Sequence, residues 1–355
     1  MAVFAEDVNL AGYTTLRLGG PARRFVEATT EAELVAAVRK ADDEGEPVLV
    51  LGGGSNLVVS DDGFPGTVVH IGTRGTERVA AEGGRVRLRV QAGEDWDPFV
   101  ARCVTDGLAG VECLSGIPGR VGATPIQNVG AYGQDVSETI VEVRAYDREA
   151  RACVTLDRDA CRFTYRHSAF KGNDRYVVLD VTYALYEAEE SQPIAYAELA
   201  RRLGVQPGDR ATLKEARDAV LELRRGKGMV LDATDPDTRS AGSFFTNPIL
   251  DPDQLAGLER RVAERLGPDA AFPRYPEAGG RVKTSAAWLI DRAGFVKGHA
   301  RGPARISTKH TLALTNPGGA TTADLLALAR EVRGGVRDAF GVELVNEPVM
   351  VGVTL

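Results

Sequence analysis

Cysteine is scarce in this chain of 355 residues: Cys103, Cys113, Cys153 and Cys161 are the only four, and none forms a C-x-x-C pair. Four thiols so dispersed are no disulfide framework, so the sequence reads as a protein of a reducing compartment, the cytoplasm, with its cysteines serving as small buried hydrophobes. A basic excess is missing as well. Lys and Arg number 43 against 50 Asp and Glu, a formal net charge of −7 with a pI near 5.4, which argues against nucleic acid as a partner. No apolar run approaches the ~18 residues of a membrane span. The N-terminal MAVFAEDVNL has neither a basic n-region nor a long apolar h-region, so neither export nor membrane insertion is expected. His70, His167, His299 and His310 form no H-x-H or H-x-x-x-H pair, and no zinc centre is expected. Two nucleotide signatures are also absent: G-x-x-x-x-G-K-[ST] occurs nowhere, and the one glycine run that follows an apolar strand fails G-x-G-x-x-G at Leu57.

What remains is an ordinary globular composition, 43% hydrophobic and 26% charged, long enough for two to three domains at ~150 residues each. Glycine alone is in surplus: 40 of 355 residues, about 11% where roughly 7% is usual. The first third alternates helical and strand patterns. Thr30 caps a helix predicted over residues 31–44, with Glu33 at the capping-box position. PVLVL, TVVHI and VRLRVQAG read as strands, and LVVS resumes an extended pattern after GGGSN. A helix is predicted over 96–106, where Pro98 is tolerable in a first turn. Residues 107–133 keep no period and read as a long functional loop. TIVEVRAYD, ACVTLD and RYVVLDVTYALY then form a meander of an antiparallel or mixed sheet, and LKEARDAVLELRRGKG an amphipathic helix. The polar linker DATDPDTRSAG puts a domain junction near residues 228–240, followed by helices near 253–266, 285–293 and 322–340.

Gly52-Gly53-Gly54-Ser55-Asn56 is either a tight turn without a ligand or a nest of convergent backbone N–H groups for an anion. A second stretch holds Gly116, Gly119, Gly122, Gly130 and Gly133, with Ser115, Thr124, Gln127 and Asn128 among them. Two such loops converging would suit a diphosphate with a ring system attached. Read alone, Ser243 is a capping or turn residue, Arg166 and Glu347 are surface ion-pair residues, Asn247-Pro248 is a turn and Lys227 the cationic end of a helix.

Motif context changes that reading. VLGGGSNLVVSDDGFPGTVV followed by GIPGRVGATPIQNVGAYG resembles the flavin-binding domain of the UDP-N-acetylenolpyruvoylglucosamine reductase (MurB) family, whose fold is of the vanillyl-alcohol-oxidase type. NLAGYTTLRLGGPA, FTYRHSAFK, AGSFFTNP, RVKTSAAWLIDRAGF, ISTKHTLALTN and NEPVMVG match in order and spacing, so the resemblance spans nearly the whole chain. PIAYAELA is similar to the branch in which a tyrosine loop closes over the substrate. Arg120, Ala123-Thr124 and His167, which stands where an aspartate is common, depart from the usual motifs.

The resemblance implies an α+β fold: a two-lobed FAD-binding domain, with lobes at 1–76 (to which 345–355 return) and 77–232, plus a smaller C-terminal substrate-binding domain at 233–344. It implies non-covalent FAD, NADPH as hydride donor, and UDP-N-acetylglucosamine enolpyruvate as substrate, reduced by a cytoplasmic monomer of peptidoglycan precursor synthesis with no nucleic-acid or membrane partner. Arg166 would hold the substrate carboxylate, Ser243 would be the general acid, and Glu347 would stabilise or protonate the enolate. Gly52, Gly53, Gly54, Ser55, Asn56, Leu57, Ser115, Gly116, Ile117, Gly119, Gly122, Ala123, Gln127, Asn128 and Gly133 would bind the cofactor; Tyr196, Lys227, Asn247 and Lys283 would bind the substrate. Two other classes compete. An alcohol or sugar oxidase that attaches its flavin covalently needs a His or Cys in the glycine loops, and the nearest, Cys113, lies just outside. A flavin or nucleotide-sugar binder without activity would be expected to lack one of Arg166, Ser243 and Glu347, and all three are present.

Overall fold

The computed structural model describes residues 4–355. The contacts gather into two compact units. One takes the chain up to Val8, Ala22–Gly54 and Phe64–Val230; the other takes Asn9–Pro21, Ser55–Gly63 and Leu231–Leu355.

In the first unit a four-stranded sheet has the order Ala5–Asn9, Pro21–Ala28, Phe64–Ile71, Val48–Leu51. Phe64–Ile71 is parallel to both neighbours. Helix α1 (Glu31–Asp43) packs Leu34, Ala37, Val38 and Ala41 inward, the i, i+3, i+4, i+7 face of an amphipathic helix. Its N-terminus is the capping box read from the sequence: Glu33 N donates to Thr30 Oγ1 and Thr30 N to Glu33 Oε2, both at 3.2 Å.

A second sheet is antiparallel throughout, in the order Ala152–Asp157, Ile140–Asp147, Tyr176–Glu187, Arg85–Gln91, Thr76–Glu82, with Leu108–Ala109 added on Tyr176–Glu187. The predicted strands all lie in these two sheets except LVVS; Thr76–Glu82 is an edge strand whose mixed sequence hid it. Helix α2 (Trp96–Thr105) buries Trp96, Phe99, Val100 and Cys103. The rings of Trp96 and Phe99 stand 5.9 and 5.4 Å from that of Tyr183, so the core is an aromatic cluster under the long central strand. Residues 107–133 contain two short 3-10 turns and two-residue strands, the irregular stretch the sequence predicts. Helix α3 (Ala197–Leu203) occupies a stretch whose sequence resembles a tyrosine loop and carries no expectation of a helix. Helix α4 (Leu213–Gly226) carries its own capping box from Thr212 and Glu215.

The second unit holds helices α5 (Pro252–Leu266), α6 (Ala286–Arg292) and α7 (Thr322–Phe340), close to the predicted spans. A four-stranded antiparallel sheet has the order Ser240–Ser243, Ala313–Thr315, Ala304–Ile306, Ala300–Arg301, and Val282–Lys283 lies between Ile249–Leu250 and Tyr275–Pro276. Leu57–Val59 leaves the strand series of the first unit and pairs, parallel, with Val349–Val351. Leu16 and Val58 are buried in the same core as Leu325, Leu328, Val332, Val336 and Phe340. By contact, residues 9–21, 55–63 and 345–355 therefore belong with the C-terminal chain and not with the rest of 1–76. The reason is burial: these short apolar segments find their partners there.

Candidate active site

The first unit brings the two glycine stretches together, backbone against backbone. Gly53 has no room for a side chain, since a Cβ there would lie 2.7 Å from the Cα of Gly119. A Cβ on Gly122 would lie 2.5 Å from that of Ala92, while one on Gly52 would make ordinary contact with Arg120 at 3.5 Å. Glycine at Gly53 is thus what lets the two loops pack backbone to backbone.

The second stretch is held from below. Gly116 N donates to Asp97 Oδ1 at 2.6 Å, and Arg217 clamps the same carboxylate at 2.7 and 3.0 Å. Asp97 lies partly buried, which by itself would raise its pKa; Arg217 and the Gly116 N–H outweigh that and keep it below the usual range. Glu112, fully buried, accepts from Gly110 N at 2.6 Å, Gln134 Nε2 at 2.9 Å and Gln192 N at 2.7 Å, tying three segments to one carboxylate. Ser115 is also buried, and its hydroxyl donates to Glu112 O at 2.7 Å. Asn128, at φ +47°, accepts from Ser137 N and donates to Thr164 O, so its amide braces the loop toward Arg166. Ile117 packs on the core, Ala123 and Gly133 are exposed and Gln127 is half-buried. Ser55, Asn56 and Leu57 fall in the other unit, where Asn56 O accepts from Val349 N at 2.9 Å and Asn56 Nδ2 donates to Glu347 O at 3.5 Å.

Arg166 sits at φ +52°, a backbone region uncommon for a non-glycine residue. It caps a turn in which Thr164 and His167 exchange backbone hydrogen bonds. Its guanidinium lies on the second glycine stretch: Nη2 donates to Gly130 O at 2.6 Å, and Nη1 reaches Asn128 O and Asp135 Oδ1, both at 3.3 Å. Gly130 allows this approach, since a Cβ there would come within 2.9 Å of Arg166 Nη1. Asp135 carries no local signal in the sequence, because nothing nearby marks a carboxylate that an arginine reaches from 31 residues away. Tyr196 and Lys227 belong to a small cluster: the Tyr196 ring meets Tyr132 edge-on at 5.4 Å, and Lys227 Nζ stands 5.5 Å from the Tyr132 centroid. Burial pushes the Tyr132 phenol up to about 12.

In the second unit Ser243 ends the strand Ser240–Ser243, opposite Ala313, and is half-buried. The chain beyond it is anchored by Phe244 and Phe245, buried and packed edge-on at 5.2 Å. There it meets the C-terminal segment: Glu347 N donates to Phe244 O at 2.9 Å, Thr246 N to Val345 O at 3.0 Å, and Phe245 bridges Asn346. The fold thus brings Ser243 and Glu347 to adjoining segments across about a hundred residues of chain. Asn247 Oδ1 accepts from Ala286 N at the start of α6, and Lys283, paired in register with Ile249, lies near this corner. Among the described residues no group of three or more His, Cys, Asp or Glu side chains could hold a metal.

Residues 22–155 match the FAD binding domain family, and residues 235–351 match the C-terminal domain of UDP-N-acetylenolpyruvoylglucosamine reductase. Bare glycine loops inside an FAD-binding match, joined to a separate C-terminal domain, define a flavoprotein oxidoreductase with FAD as its cofactor. The UDP-N-acetylenolpyruvoylglucosamine reductase of Thermobifida fusca is 64% identical over 99% of both chains, and that of Streptomyces coelicolor 62% identical over 99% of this chain and 91% of its own. The crystal structure of the Thermus caldophilus reductase superposes with a TM-score of 0.67 at 24% identity, covering 99% of each chain, and so shares the fold. This chain belongs to the UDP-N-acetylenolpyruvoylglucosamine reductase family.

Proposed function

We propose that the chain reduces UDP-N-acetylglucosamine enolpyruvate to UDP-N-acetylmuramate with NADPH, in the cytoplasm and as a monomer. The observation that carries the reading is the backbone meeting of Gly53 and Gly119, with Arg166 docked on Gly130 of the same loop system. FAD, when bound, supplies the relay by which hydride from NADPH reaches C3 of the vinyl ether. A proton must then be added at C2, where charge has built up beside the carboxylate.

Arg166 is suited to hold that carboxylate. Its planar fork is already oriented by two carbonyls and Asp135, so less freedom is lost on binding than for a lysine. Ser243 is assigned the C2 proton. A serine hydroxyl is a weak acid and can serve only when it is fixed on the carbanionic carbon, and the buried Phe244–Phe245 anchor limits its motion. Glu347, held through its backbone to Phe244, is assigned to the enolate side. Lys227 and Lys283 are assigned to the UDP diphosphate, Tyr196 and Asn247 to the rest of the nucleotide sugar. The glycine loops, with Ser55–Leu57, Ser115, Ile117, Ala123, Gln127 and Asn128, are assigned to FAD. The lobes 1–76 with 345–355, and 77–232, together with a substrate domain at 233–344, remain the division we assign by function.

Anaerobic stopped-flow tests the reading. In Ser243→Ala, flavin reduction by NADPH should keep its wild-type rate, while reoxidation by UDP-N-acetylglucosamine enolpyruvate slows by orders of magnitude. Reoxidation at the wild-type rate would remove Ser243 from the mechanism, and protein that takes up no FAD would remove the reading altogether.

A further inference from the structure

Both lysines assigned to the diphosphate are already engaged by carboxylates. Lys227, at the C-terminal cap of α4, donates to Glu198 Oε2 at 2.5 Å; Lys283 donates to Glu277 Oε1 at 2.6 Å. Neither pair is deeply buried, the four side chains keeping between 24% and 33% of their exposure. An ion pair this accessible to water is weak, and a more highly charged anion can displace it. Each carboxylate stands at the edge of a short element. Glu198 stands in the first turn of the short helix α3, two residues beyond the half-exposed Tyr196. Glu277 lies at the turn joining Tyr275–Pro276 to Val282–Lys283, just before two glycines at positive φ.

We propose that Glu198 and Glu277 are built-in competitors for the nucleotide: each occupies its lysine until the diphosphate replaces it, and each recaptures the lysine when product leaves. The proposal rests on the assignment of Lys227 and Lys283 to the diphosphate. Its physical content is an exchange of anions. A nucleotide-sugar diphosphate carries two negative charges and a glutamate one, so the incoming ligand wins, but by less than it would against a bare lysine. The same competition lowers the affinity for product and so speeds its release. The two carboxylates thereby hold nucleotide affinity down in favour of turnover.

The test uses UDP as the probe, titrated calorimetrically into FAD-loaded wild-type protein and into Glu198→Gln, Glu277→Gln and Lys227→Met. Glutamine keeps the shape of glutamate and its acceptor oxygen but not the charge. Each Gln variant should bind UDP about two- to fivefold more tightly, with a steeper loss of affinity as salt is raised. In turnover each should lower KM together with kcat. A carboxylate that merely braced the lysine would, on removal, raise KM instead. Lys227→Met should weaken UDP binding. If Lys227→Met binds UDP like wild type, the assignment of that lysine to the diphosphate falls. If it binds UDP more weakly while both Gln variants bind no more tightly than wild type, the competitor role is overturned and the assignment survives.

Discussion

Gly53→Ala probes the two glycine loops assigned to FAD with a single methyl group. Gly53 does not have a positive φ, so alanine is allowed by its backbone conformation, and the only obstacle is space. The added Cβ would lie 2.7 Å from Gly119 Cα and 3.2 Å from Gly119 C, where ordinary contact begins at 3.4 Å. Both atoms are backbone, so no rotamer change relieves the clash, and the two loops must separate by several tenths of an ångström. Overpacking of this kind costs about 1–3 kcal/mol. If the strain falls on the FAD-competent arrangement, affinity drops by a factor from about five to over a hundred, at 1.4 kcal/mol per tenfold. Quenching of FAD fluorescence on titration into apoprotein measures it, with a thermal melt of the apoprotein to show that the fold persists. Gly257→Ala is the matched control: in α5 its Cβ would meet nothing within 4 Å, so it should leave FAD affinity unchanged and add up to about 1 kcal/mol of stability. Wild-type FAD affinity in Gly53→Ala would refute the claim that bare backbone at this contact is what the cofactor requires.

Two further outcomes follow from burial and charge. Arg175 clamps the buried Asp147 at 2.6 and 2.9 Å and, with the N–H groups of Glu149 and Ala150, holds its carboxyl down to about 2. The folded value lies below the ~3.9 of an unfolded chain, so this stabilisation is complete above about pH 4 and is lost as pH falls toward 2. Urea unfolding across that window should show a shallower pH dependence for Asp147→Asn, and equal slopes would refute the clamp. Cys103, Cys113 and Cys161 are buried, with thiols pushed up by desolvation, Cys103 and Cys161 to about 12, while Cys153 is exposed. Ellman's reagent should therefore titrate one thiol in the native protein, removed by Cys153→Ser, and all four after denaturation; a second native thiol reacting at the same rate would contradict the packing.

Sequence by itself determined what short-range physics controls. The capping box at Thr30, the amphipathic runs of α1 and α4, and the aperiodic stretch at 107–133 are all set by residues a few positions apart, and each is legible in the sequence. Motif order carried the family and its cofactor. The glycine surplus serves more than the two loops: 27 of the 40 glycines stand at positive φ, most of them in turns far from those loops. Tertiary structure alone decided the long-range pairings. Leu57–Val59 crosses to Val349–Val351, Glu347 is drawn to Phe244, and Arg166 finds Gly130 and Asp135. The pairing of Lys227 with Glu198, 29 residues away, belongs to the same class. No local pattern encodes these contacts, because they are chosen by which apolar segments can be buried together and which backbone groups are then left needing a partner.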